Sequence, residues 1–245
     1  MIVEQSVTER AELCSALGAR LYDIRRILGL SQLNLGELCG VTRPRMIQIE
    51  HGSVRLSPCQ MNALLLVCYA NRAAFDYLLR ANVPELKYFS YLQNREEGLL
   101  PDFSFSLPRG LREIAIDRLA PVSGKLLPIP AAEKKRLCEA LTARLSSIRR
   151  VLRVSQDRFS AQCGFSRVRL IRLEKGECLL SYTQACAVLF VSLFNAQSRE
   201  YLIREQILSA PFLCAIERAE HPEGLPILNF SAHPELFPDY AAQNE

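Results

Sequence analysis

A chain of 245 residues, 49% hydrophobic and 23% charged, is long and apolar enough to bury a sizeable core, which excludes a disordered polymer. The formal net charge of +4 permits nucleic-acid binding without demanding it, so an electrostatic footprint has to come from local clustering. The 11 glycines form no phosphate-cradling loop, His51, His221 and His233 show no ligand spacing, and no Ser/His/Asp set stands out, so no enzyme, cofactor or metal is expected.

No segment reaches the roughly 18 consecutive apolar residues that span a bilayer. The N-terminus lacks a basic stretch followed by an apolar core, so the expectation is a cytoplasmic protein with no membrane partner. Nine cysteines without a Cys-x-x-Cys pair read as reduced core thiols, with a redox sensor or metal site as the alternative.

In chain order, residues 8–28 predict a first long helix, with Leu13, Leu17, Leu21, Ile24 and Leu28 on one stripe. Two short helices follow within Ser31–Gly52. Ser31 caps the first, which runs to about Cys39, and Gly40 supplies a turn with positive φ. Thr42 caps the second, through about Glu50, and Gly52 ends it. Pro44 falls in its first turn, where a missing N–H costs little. A fourth helix is expected over 57–69 and a fifth over 72–80, both dominated by apolar residues, which reads as core or as a dimer face. Residues 82–107 form a tail in which Phe103 and Phe105 alternate with polar residues, a short-strand signal. A short helix over 111–119 precedes the proline-rich stretch 121–131, the expected linker.

The second half repeats the first. Residues 137–204 match 13–80 without a gap, at about 30 of 68 identical positions, so an internal duplication organises the chain. The repeated helices fall at 132–152, in the Ser155–Gly176 pair with Gly164 at its turn and Ser166 as second cap, and at 181–194 and 198–208. Leu228 and Phe230 repeat the strand signal. Strand pairing between the tails, or with a second chain, is expected to fix the orientation of the halves, which allows a homodimer through the tails.

Both helix pairs resemble the Cro and phage-repressor (XRE-like, lambda-repressor-like) helix-turn-helix family. The resemblance rests on Ser31-Gln32, Gly40, Thr42 and Glu50-x-Gly52, then on Ser155-Gln156, Gly164, Ser166 and Glu174-x-Gly176. It covers about 70 residues in each half. Gly36 and Ser160 depart from the usual Ala but are small enough for the helices to cross closely. The implied fold is mostly α, with two tandem five-helix lambda-repressor-like domains, 8–120 and 132–245, joined by 121–131.

The implied partner is double-stranded DNA, read by helices 43–50 and 167–174 in successive major grooves as a pseudo-dimer. The resemblance places Arg43, Pro44 and Gln48, and Arg167, Val168 and Arg172, at base edges. Arg suits guanine and Gln suits adenine, so unlike half-sites are expected, the second more G-rich. Gln32, Thr42, Arg45 and Arg55, with Gln156, Ser166, Arg169 and Lys175, are placed for phosphate. Arg25 with Glu50, and Arg149 with Glu174, match a structural ion pair of the family. For Arg26 and Arg150, phosphate contact and a solvated surface role both remain open. The implied function is a transcriptional regulator, more often a repressor in this family. The alternative is a protein-binding anti-activator or antitoxin-like module that kept the fold.

Overall fold

The computed structural model describes residues 1–83, 86–97, 99, 129–209, 212, 215 and 216. The expected strands around Phe103 and Leu228, the helix 111–119 and linker residues 121–128 lie outside the described residues. The chain is mostly helical, with twelve helices and no sheet among the described residues. The first half contributes α1 (Val7–Ala19), α2 (Leu21–Ile27), α3 (Gln32–Cys39), α4 (Arg43–Glu50), α5 (Pro58–Tyr69), α6 (Arg72–Arg80) and α7 (Leu86–Leu92). The second contributes α8 (Ala131–Val151), α9 (Gln156–Cys163), α10 (Arg167–Glu174), α11 (Tyr182–Leu193) and α12 (Ala196–Arg204). No helix among the described residues is long and apolar enough to cross a membrane.

Three sequence expectations are corrected. The helix expected over 8–28 breaks at Arg20, whose φ of −101° and ψ of 1° leave the helical region, whereas its repeat α8 runs unbroken. Gly18 stands where α8 has Thr142, and glycine costs a helix interior about 1 kcal/mol. The Arg20 guanidinium bonds Ala16 O at 2.9 Å, supplying the donor that its own amide would have offered in a continuous helix. The helix expected over 198–208 instead spans Ala196–Arg204, starting after Asn195. The stretch 82–107, expected as a tail, contains the helix α7, whose Tyr88, Phe89, Tyr91 and Leu92 are all buried. Its aromatic content hid a helix too short to show a period.

The caps explain most boundaries. Ser31, Ser57, Ser155, Ser166 and Ser181 each accept a hydrogen bond from the amide three residues on. Ser57 and Ser181 also complete reciprocal capping boxes with Gln60 and Gln184. Thr42 takes the N-cap conformation, but its hydroxyl makes no capping bond.

The halves share one buried core. At its centre α5 packs against α11. Each is buried nearly all round, Cys59 and Met61–Tyr69 in one and Ala185–Leu193 in the other. A helix apolar on every face has to be covered on every face, and here the other half covers it. Tyr69 of α5 meets Phe190 and Phe194 with centroids 5.8 and 5.5 Å away. Phe89 of α7 lies 5.3 Å from Phe194.

Each half also donates a hydrogen bond to a carbonyl of the other. Asn71 Nδ2 donates to Val67 O in its own half and to Ile216 O in the other, at 2.7 and 2.8 Å. Its repeat Asn195 donates to Val191 O and to Leu92 O at 3.1 and 2.9 Å. Arg158 and Gln162 of α9 bind the end of α7. Gln162 Nε2 donates to Tyr91 O at 2.8 Å, and Arg158 Nη2 donates to Val3 O at 2.8 Å. The Arg158 guanidinium also sits 5.0 Å over the Tyr91 ring.

Candidate nucleic-acid interface

The turn between α3 and α4 is built on Gly40, at φ 71°, and that between α9 and α10 on Gly164, at φ 79°. Both glycines lie against the opposite half. A Cβ on Gly164 would sit 2.3 Å from Cys59 N, and one on Gly40 would sit 2.8 Å from Thr183 N. Thr183 Oγ1 donates to Gly40 O at 2.6 Å. Both α4 and α10 begin three residues after these glycines, so both start beside the same seam.

Met46 and Ile49, with Leu170 and Leu173, hold the inner faces of α4 and α10 in the core. Arg43, Pro44 and Gln48 are exposed on α4, as are Arg167, Val168 and Arg172 on α10. Val168 is an apolar side chain left 68% exposed on a folded surface. Arg167 pairs with Asp157 at 3.3 Å, and Arg172 with Glu177 at 3.5 Å. Lys175 reaches Glu177 at 4.0 Å. The first half has Leu33 and Ser53 where these carboxylates stand. Its basic turn therefore lacks those acidic neighbours.

Arg45 and Arg169 hold the loops that follow their helices. Arg45 Nη2 donates to Arg55 O at 2.9 Å, and Arg169 Nη2 donates to Leu179 O at 2.7 Å. A guanidinium carries five N–H donors, so this bond leaves others. Arg55 is exposed and Thr42 and Ser166 sit at the two helix starts.

Beneath each surface lies one repeated triad. Arg25 Nε donates to Glu50 Oε1 at 2.6 Å, and Gln32 Nε2 donates to Glu50 Oε2 at 2.7 Å. In the second half, Arg149 Nε and Gln156 Nε2 bond Glu174 at 2.6 and 2.7 Å. Only 6% of the Glu50 side chain and 9% of Glu174 are exposed. Burial pushes the Glu174 carboxyl up, but the bonds from Arg149 and Gln156 outweigh it and hold the group below its ordinary value. The bond to Glu50 raises Arg25. Gln32 and Gln156 thus spend one amide N–H on the buried carboxylate and keep a second. Arg26 lies on Tyr22, 5.7 Å from the ring, and Arg150 is exposed.

Among the described residues eight cysteines are free thiols, all buried except the half-buried Cys178. Burial raises Cys14 and Cys138 to about 11 and Cys59 to about 12, so these thiols stay protonated near neutrality. No group of His, Cys, Asp and Glu among the described residues is arranged to hold a metal ion. The sequence reading missed Asn71, Asn195, Arg158 and Gln162, which join the halves. The repeated asparagines are visible as identical positions, but only the packing of the halves shows that they bind Ile216 O and Leu92 O. Compared with known proteins, the chain matches no family model, no curated protein and no solved structure.

Proposed function

We propose that the chain is a sequence-specific double-stranded DNA-binding regulator, built as two tandem helix-turn-helix units that act as an intramolecular pseudo-dimer. The observation that carries this reading is the pair α4 and α10. Each is anchored on its inner face, and each exposes two polar side chains on its outer face, Arg43 and Gln48 on one and Arg167 and Arg172 on the other. An exposed Val168 next to Arg167 suits the methyl group of thymine. Arg172 in place of Gln48 favours guanine in the second half-site. The triads below would hold each helix at a set angle while its outer face meets the groove. Repression by occupying an operator is the simplest consequence.

The test is selection of fragmented genomic DNA by the purified protein at near-physiological salt, with sequencing of the retained fragments. Two unlike half-sites about one helical turn apart are expected, the second more G-rich. Arg43→Ala should cost about 1–3 kcal/mol and relax one base pair of the first half-site. Retained fragments with no common sequence would overturn the reading and turn attention to protein partners.

A further inference from the structure

The pseudo-twofold relation places the same junction at two sites, where the turn of one half meets the start of the long central helix of the other. At one junction the space is filled. The Tyr182 ring lies against Gly40, with its Cδ1 3.0 Å from where a Cβ would stand. Lys134 Nζ sits 5.1 Å from the centroid of that ring and pairs with Glu37. One aromatic ring, one cation and one carboxylate complete that junction.

At the other junction two of the three parts are missing. Pro58 stands in place of Tyr182 and Ala161 in place of Glu37, while Arg10 keeps the cation of Lys134. A cavity of about 450 Å³ opens there, lined by Cys14, Leu56, Pro58 and Phe165 with Arg10 and Arg55. Arg10 spends Nη1 on Ala161 O at 3.0 Å, the backbone of the residue that lacks the carboxylate. Arg55 adds a second guanidinium where the filled junction has Leu179.

We infer that this cavity binds a small aryl carboxylate, whose ring takes the space that Tyr182 fills at the related junction and whose carboxylate meets Arg10 and Arg55. The volume suits a small organic ligand, and a mostly apolar wall that includes two arginines suits a ring with one anionic end. The cavity wall includes Gly164 and Ser166, the turn and cap from which α10 starts. A ligand there would bias the start of that helix relative to the first half. This coupling rests on the DNA-binding reading above, but ligand binding itself does not.

Isothermal titration of the intact chain with para-hydroxyphenylacetate, in the absence of DNA, tests the site. Saturable binding to one site per chain is expected, with the neutral amide para-hydroxyphenylacetamide at least about tenfold weaker. Arg55→Leu copies the other half at an exposed position and should weaken the acid by about tenfold. The double change Pro58→Tyr with Ala161→Glu rebuilds the filled junction and should abolish binding while thermal stability is kept or raised. Absence of saturable binding overturns the inference, as does equal binding of acid and amide, or binding indifferent to Arg55→Leu. Anisotropy of a labelled operator with and without the acid then reads the coupling. Ligand binding without any DNA effect leaves the site standing and removes only the regulatory link.

Discussion

Glu50 and Glu174 show how one side chain ties local helix ends to a surface above them. Each accepts from an arginine of the helix before its helix pair and from the glutamine that opens the pair. Removing the charge leaves Arg25 or Arg149 under the surface without its counter-ion. Glu50→Gln should therefore lower stability by about 3 kcal/mol, read as a lower urea midpoint with an unchanged slope. For Glu174 the folded pKa lies below the ordinary value. Its contribution is thus fully present above the unfolded carboxylate pKa of about 4.3 and is lost as pH falls through the lower folded value. Stability profiles of wild type and Glu174→Gln should converge as pH drops below about 4. A constant gap down to pH 2 would argue against a linked proton. The Arg–Glu pairing is one that the family resemblance implies for both halves, and the structure has it in both. The third partner, glutamine, is a phosphate contact by the resemblance alone, and only the packed helix ends show how close its amide comes to the carboxylate.

At the scale of the element, the helix pairs were legible because their caps and turns are chemically explicit. Ser at an N-cap and Gly at positive φ leave few alternatives. What the turn glycines touch was not legible. Gly164 makes the tight turn and also lets the backbone of α5 approach to a distance that no Cβ allows. Gly164→Ala should destabilise twice over, through the φ of 79° and through the contact with Cys59. A drop in melting temperature should accompany faster hydrogen exchange at the start of α5, in the other half. Gly52→Ala is the control, since it shares a positive φ but has open space around it. Equal exchange at α5 in both variants would show that only backbone strain matters. The broken first helix belongs at this scale too. Leucine spacing carried a single stripe through Arg20, and the stripe survives the break because both segments face one core.

Over the whole molecule, the duplicated halves form one body. The α5–α11 contact, the aromatic cluster around Tyr69 and Phe194, and the reciprocal Asn71 and Asn195 bonds leave little that either half could keep dry alone. A fragment of residues 129–245 should expose the apolar face of α11 and lose its partner for Asn195. It is expected to aggregate or to form a homodimer, as measured by light scattering after size exclusion, whereas co-expression with 1–128 should restore a single complex. A monomeric fragment with native helix content would show that the halves fold independently.

The sequence by itself determined the helical class, the duplication, the two capped helix pairs and the apolar character of the central helices. These follow from short-range chemistry, because a cap, a turn or a stripe is complete within a few residues. Only the tertiary structure decided that the apolar helices cover each other, that Asn71 and Asn195 each bind a carbonyl of the other half and that one junction is filled while its twin stands open. Each of those depends on contacts between the two halves of the chain, and sequence spacing holds no information about which of two similar surfaces will meet.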